Sequence, residues 1–306
     1  AITIHMHGAK NYTVIGVCIV VFLPTTSYMY KQVFVIPSDF PVGKNFTIGE
    51  NETLKSVSIR LKDGHYIHSA LLFRALISSR GRDRHLKAGG YSFTEGVPLQ
   101  GVVDKFATGH PDVPLVSVTI PEGSTANEIA TIVNKAIPTI STQSVISLIN
   151  QNNLTGKLFP STYFLLPSSS AESIIKLMRS TFENKYTFFV EGLVMPAPLT
   201  TDNEVLSLAA ILEGEAKTKE DMEIVAGILL TRLQKGMPLQ VDAAPDTYKT
   251  KGLPVVPINN PGEMAISAVF HASTSPYLFY ITGKDGKMYY AKTFEEHKRN
   301  ITKYLR

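Results

Sequence analysis

A single cysteine, Cys18, excludes an internal disulfide and any metal site built from thiolates. The eight histidines show no His-Glu-x-x-His or comparable zinc spacing. No repeat or low-complexity tract interrupts the chain. Only 18% of residues are charged against 44% hydrophobic, which excludes intrinsic disorder and leaves material for a sizeable core. The charge has no strong sign: the net value is +4, with Lys and Arg scattered apart from the Arg74 to Lys87 stretch, which holds Arg80, Arg82 and Arg84. That stretch suits an anionic polymer, a membrane surface or a solvated basic loop, and no nucleic-acid partner is expected. A length of 306 residues predicts two domains, or one domain plus an anchor. The Asn-x-Thr triplets at 11, 45, 51, 153 and 300 read as chance.

Long apolar runs are also scarce. The one near the start, Tyr12 to Leu23, stops at Pro24 and resumes weakly to Tyr30. Twelve residues are short against the roughly 20 of a spanning helix, whereas counting through Tyr30 gives 19. Tyr12, Tyr28 and Tyr30 stand where interfacial aromatics belong, and no Ala-x-Ala cleavage site follows. The expectation is a tail and single N-terminal anchor over residues 1–34, with a buried strand as the alternative.

Residues 42–112 form a first module: a strand near Phe46, a helix with apolar positions 54, 57 and 61, a helix over Ala70 to Ser79, a short strand at Tyr91, and a helix over Leu99 to Phe106. That order resembles a small LysM-like α+β unit. Pro111 and Pro114 mark a boundary, and residues 116–306 form the second unit. There Val116 to Ile120 alternates as a strand, and Pro121-Glu122-Gly123-Ser124 turns the chain. Thr125 and Glu128 form a capping box, helices follow at Gln143 to Asn150 and Ala171 to Lys185, and Leu158 to Tyr163 reads as an apolar and aromatic loop. A hairpin turning at Lys284-Asp285-Gly286 precedes a helix opened by a second capping box at Thr293 to Glu296. The predicted class is α+β.

The stretch that organises the chain is Val205 to Ala216. It is apolar but for Ser207 up to Leu212, without proline and with one internal β-branched residue, so it predicts a helix buried nearly all round. Glu213 and Glu215 at its end point in roughly opposite directions and cannot face each other as an acid/base pair. Glu213 is the better candidate for chemistry, because it rises from the alanine side next to Gly214. A glutamate held by Arg232 is the alternative for it.

The chain resembles the YceG-like (MltG) endolytic murein transglycosylases, membrane-anchored enzymes that cut nascent peptidoglycan. The resemblance rests on an ordered set of segments from about Phe46 to the C-terminus. They are Leu86-Lys87-Ala88-Gly89 with Tyr91, Ile120-Pro121-Glu122-Gly123, Leu158-Phe159-Pro160 with Thr162-Tyr163, and Ala210 to Ala216. Arg232-Leu233, Gly236 to Gln240 with Asp242, Thr247-Tyr248, Gly252-Leu253-Pro254, Asn260-Pro261-Gly262, Thr293 and Glu296-His297 complete the set. The departures are Thr231, Thr155 and Ser161 where the family has asparagine, glutamate and aspartate, and a shorter segment between Asp242 and Thr247, beside the expected cleft.

The resemblance implies that Glu213 is the catalytic acid. A lytic transglycosylase manages with one carboxylate, since the substrate supplies the attacking 6-hydroxyl and an N-acetyl group; ordinary glycosidases need two. No metal or cofactor is called for. Gln240, Asp242, Tyr248 and Asn260 are the candidate substrate contacts, with loop capping and turn formation as alternatives. Glu215 and His297 read as structural. Glu213 is expected to line a cleft shared with the Gln240–Tyr248 loop, its pKa raised by desolvation and Arg232 directed elsewhere. The expected partners are peptidoglycan strands, the membrane and cell-wall synthases, with the protein at the bacterial inner membrane and its catalytic domain outside. The rival reading is a catalytically impaired glycan-binding or scaffold protein of the wall machinery.

Overall fold

The computed structural model describes residues 28, 30–49, 52–81 and 86–305. The anchor expected over Tyr12 to Tyr30 therefore lies outside the described residues except for Tyr28 and Tyr30, as do Arg82 and Arg84. Among the described residues no helix is long and apolar enough to cross a membrane. The chain divides into two compact units, Ala1–Leu115 and Val116–Arg306.

In the first unit β1 (Asn45–Ile48) pairs antiparallel with β2 (Gly89–Ser92), in the register Asn45↔Ser92 to Ile48↔Gly89. Helices α1 (Leu54–Asp63), α2 (Ala70–Ser79) and α3 (Leu99–Thr108) cover the pair. Thr53 and Ser69 cap α1 and α2 through their hydroxyls, which accept the N–H groups of Ser56 and Leu72. The core is unusually aromatic: Tyr91 and Phe106 approach to 4.5 Å between ring centroids, and Phe46 and Phe73 meet Phe106 edge-on.

The second unit has two apolar cores. One lies between the antiparallel pair β3 (Val116–Thr119) and β4 (Thr162–Leu165) and the helices α4 (Ala126–Ala136), α5 (Thr142–Gln151) and α6 (Ala171–Val190). The capping box at Thr125 and Glu128 opens α4. Two expectations change here. The segment after Pro160, read as loop, pairs Thr162–Leu165 against β3, because Tyr163 and Leu165 alternate into the core. Helix α6 also runs past Lys185 to Val190, since Phe182 and Tyr186 keep the four-residue spacing into the second core. So α6 serves both cores: Met178 packs in the first, Phe182 and Tyr186 in the second.

The second core is built by α7 (Asp202–Glu215), α8 (Lys219–Gln234) and α9 (Glu263–Phe270). Beside them a hairpin, β5 (Phe279–Thr282) with β6 (Met288–Ala291), packs on α10 (Phe294–Tyr304). The cap of α10 differs from the expected box: Thr293 accepts the Glu296 N–H, but Glu296 reaches back to the N–H of Lys292, one residue further.

Candidate active site

Helix α7 starts from a capping box, Thr201 accepting the Glu204 N–H while the Glu204 carboxylate accepts the N–H groups of Thr200 and Thr201. All eight residues from Val205 to Leu212 are buried. Each large aliphatic side chain among them contributes about 1.5–3 kcal/mol by leaving water. The one polar member, Ser207, donates its hydroxyl to Pro254 O at 2.9 Å, which removes the cost of burying it. The helix leaves the core only at its last turn, and there the two glutamates emerge on opposite sides of the exposed Gly214.

Glu213 is half-buried between two turns. Its Oε2 accepts the N–H of Gly262 at 2.9 Å. From the other side Gly123, at φ +72°, would bring a Cβ within 3.2 Å of Glu213 Cγ, so a glycine meets both the left-handed backbone and the close approach. The turns are fastened to each other: Gly123 N–H donates to Asn260 O at 2.9 Å and Asn260 N–H to Ser124 O at 3.0 Å. Asn260 completes the fastening with its side chain, donating Nδ2–H to Ser124 O at 3.0 Å and accepting the Leu158 N–H on Oδ1 at 2.9 Å. Asn260 is fully buried and both ends of its amide are engaged, so it is scaffold and not the substrate contact its loop position suggested. Its neighbour Asn259 donates Nδ2–H to Ala210 O, one helical turn before Glu213, and keeps a buried Oδ1 with no hydrogen-bond partner among the described residues.

Burial pushes the Glu213 carboxyl above the usual carboxylate range; the Gly262 N–H opposes this and the nearby charge of Glu122 adds to it. Among the described residues no Arg or Lys forms an ion pair with Glu213. Arg232 is turned away: its Nε donates to Leu278 O at 2.8 Å, its terminal nitrogen donates to Leu239 O, and its guanidinium lies 5.3 Å over the Phe279 ring. Glu122 stands so close to Gly262 that a Cβ there would fall 1.9 Å from the Glu122 carboxylate oxygen. Gly262 thus gives its N–H to one carboxylate and its bare Cα to another.

Glu215, on the far side, keeps different company. Its oxygens accept the Ala243 N–H at 2.9 Å and the Tyr280 hydroxyl at 3.2 Å. With Arg232, Gln240, Asp242, Tyr248 and His297 it lines a cavity of about 410 Å³. Tyr248 donates to Asp242 at 2.7 Å, a bond that with partial burial pushes its hydroxyl up to about 12. Gln240 holds a left-handed backbone, φ +51°, rare for a side chain of its size. His297 stacks on Phe279 at 5.3 Å, keeps a buried Nδ1 without a partner among the described residues, and is pulled down by burial and by Arg232. The cleft expected to join Glu213 to the Gln240–Tyr248 loop is thereby corrected. The loop gathers Gln240, Asp242 and Tyr248 around Glu215, and Glu213 is not in that wall. The loop comes nearest at Gly214, where a Cβ would lie 2.8 Å from Ala243 Cβ.

Sequence reasoning missed Glu122 as a neighbour of Glu213 and Tyr280 as the donor to Glu215. The Pro121-Glu122-Gly123 and Asn260-Pro261-Gly262 turns were visible, but a backbone N–H donor leaves no residue-type signature. The model of the YceG-like family matches residues 46–245 and 246–303. The chain belongs to the YceG-like family. The two matched segments of this YceG-like chain meet inside the Asp242–Thr247 segment. An endolytic murein transglycosylase of Bacillus subtilis is 26% identical over 329 residues, covering 91% of this chain and 90% of that protein. One of Streptococcus pneumoniae is 24% identical, and the match spans 62% of its length. The crystal structure of a yceG-like protein from Listeria monocytogenes superposes with a TM-score of 0.51 at 26% identity, over 84% of this chain and 98% of that one.

Proposed function

We propose that this YceG-like protein is an endolytic lytic transglycosylase of peptidoglycan, cutting between N-acetylmuramic acid and N-acetylglucosamine with Glu213 as acid and then base. The observation that carries the reading is the state of Glu213: half-buried, raised by desolvation, in no ion pair among the described residues, with one oxygen steadied by the Gly262 N–H. A carboxyl that keeps its proton toward neutral pH can deliver it to the bridging oxygen as the C1–O bond breaks. The substrate's N-acetyl group stabilises the positive charge at C1. The muramoyl 6-hydroxyl then attacks C1 and returns its proton to Glu213, leaving a 1,6-anhydro ring and a free 4-hydroxyl. The sum moves C1 from the 4-oxygen of N-acetylglucosamine to the muramoyl 6-oxygen, parts the strand in two and consumes no water. The names of the Bacillus and Streptococcus relatives support the substrate class. Gln240, Asp242 and Tyr248 remain candidate glycan contacts on the Glu215 side.

The same reading places the chain at the bacterial inner membrane, anchored through Tyr12 to Tyr30, with its catalytic unit outside and a LysM-like first unit, near the cell-wall synthases. Purified peptidoglycan digested with the protein should yield 1,6-anhydromuramoyl ends by mass spectrometry, and Glu213→Gln should yield them at least about 10²-fold more slowly. Intact glycan in both digests would leave the scaffold reading standing.

A further inference from the structure

A second cavity, of about 360 Å³, opens along α4 from the turn that touches Glu213. Resting on the activity proposed above, we infer that this cavity takes the uncharged N-acetylglucosamine unit on the leaving side of the scissile bond, with Glu122 as its hydrogen-bond acceptor.

Four observations carry the assignment. The first is continuity: Gly123 lies both in the cavity wall and against Glu213 Cγ, so the protein's proton donor and the cavity share one turn. When the C1–O bond breaks, the oxygen that takes the Glu213 proton leaves as the 4-hydroxyl of N-acetylglucosamine, and that sugar needs a place beside the acid. The second is shape and chemistry. Pro121 and Ile132 supply apolar surface for a sugar face, the exposed Asn127 and Thr131 supply a polar rim, and the volume falls in the range of small-ligand sites.

The third is an acceptor without an internal task. Glu122 makes no hydrogen bond or ion pair among the described residues, yet its carboxylate is set against the bare Cα of Gly262. Glu128, the other carboxylate in the wall, is already used by the α4 cap, accepting the Thr125 N–H and hydroxyl at 2.8 Å. A sugar hydroxyl or acetamido N–H presented to the cavity therefore has Glu122 to meet. The fourth is charge. The wall holds two carboxylates and no Lys or Arg. It repels the lactyl carboxylate and peptide acids of a muramoyl unit and tolerates a neutral sugar.

The test uses the full chain carrying Glu213→Gln, titrated with chitotetraose, a neutral N-acetylglucosamine oligomer. The amide NMR shifts of Asn127 and Thr131 report occupancy at the cavity. Those amides should move on titration, and adding Thr131→Trp, an exposed position, should weaken this binding at least tenfold. Glu122→Gln, which keeps the shape, should weaken it several-fold and decides alone if the tryptophan variant does not fold. Amides that stay still, or an affinity unchanged in both variants, would overturn the subsite and leave the anhydro-end assay untouched. A wild-type protein that makes no anhydro ends overturns the activity instead, and the titration still decides the subsite.

Discussion

Glu213 and Glu215 sit two residues apart on one helix and live in opposite surroundings. Glu215 has both oxygens engaged, by a backbone N–H and a tyrosine hydroxyl, in a polar cavity. Glu213 has one N–H, an apolar helix behind it and a second carboxylate nearby. The first is a fastening between a helix, a loop and a hairpin. The second is a carboxyl that burial makes hold its proton more tightly than usual. Identity of residue type and closeness in sequence decide nothing here; about 200° of rotation around the helix axis decides it.

That contrast can be broken most directly on the acid side. Glu213→Gln should lower peptidoglycan cleavage by about 10²–10⁴-fold, the usual worth of a general acid, with the circular-dichroism spectrum unchanged. Full activity in this variant together with a dead Glu215→Gln would exchange the two assignments. Next in size is the clamp behind the acid. Asn260→Ala leaves the Leu158 N–H without its buried partner and takes one of two bonds from Ser124 O, which keeps the backbone N–H of residue 260, and should cost about 1–3 kcal/mol in urea unfolding, a loss no mere ligand contact would produce.

Glu215→Gln should be milder, about 0.5–1.5 kcal/mol, because an amide still accepts one of the two bonds, and cleavage should fall less than in the Glu213 variant. The smallest effect carries a sign. The folded-state pKa of Glu213 lies above its unfolded value, so the protonated form adds stability that is complete below the unfolded pKa and lost as pH rises through the folded one. The melting temperature of Glu213→Gln should therefore gain on the wild type between pH 4 and pH 8. A variant that loses ground to the wild type as pH rises would contradict the raised pKa.

Much of this was legible in the residues. The run from Val205 to Leu212 announces a helix buried all round, Thr125 and Glu128 announce the start of α4, and an acid at the end of an apolar helix announces a raised pKa. Strand β4 was hidden because Leu158, Phe159 and Pro160 ahead of it resemble a loop and only a partner strand explains the alternation of Tyr163 and Leu165. The docking of the Gln240–Tyr248 loop was hidden for a related reason. Helical periodicity separates the faces of α7, but which face a distant segment covers depends on Tyr280 and Ala243, which local pattern does not connect to it. Asn260 misled because turns on the surface and turns inside a clamp share one composition.

The clamp also dates the site within folding. Its Ser124–Asn260 contact joins residues 136 positions apart, and Glu213 belongs to a third segment between them. Contacts of such separation carry the largest loop-closure cost and form late, after local helices have long been in place. A newly made chain therefore holds its helices before the surroundings of Glu213 are assembled, and the glycan-cleaving capacity proposed for that carboxyl arrives only with the long-range closure.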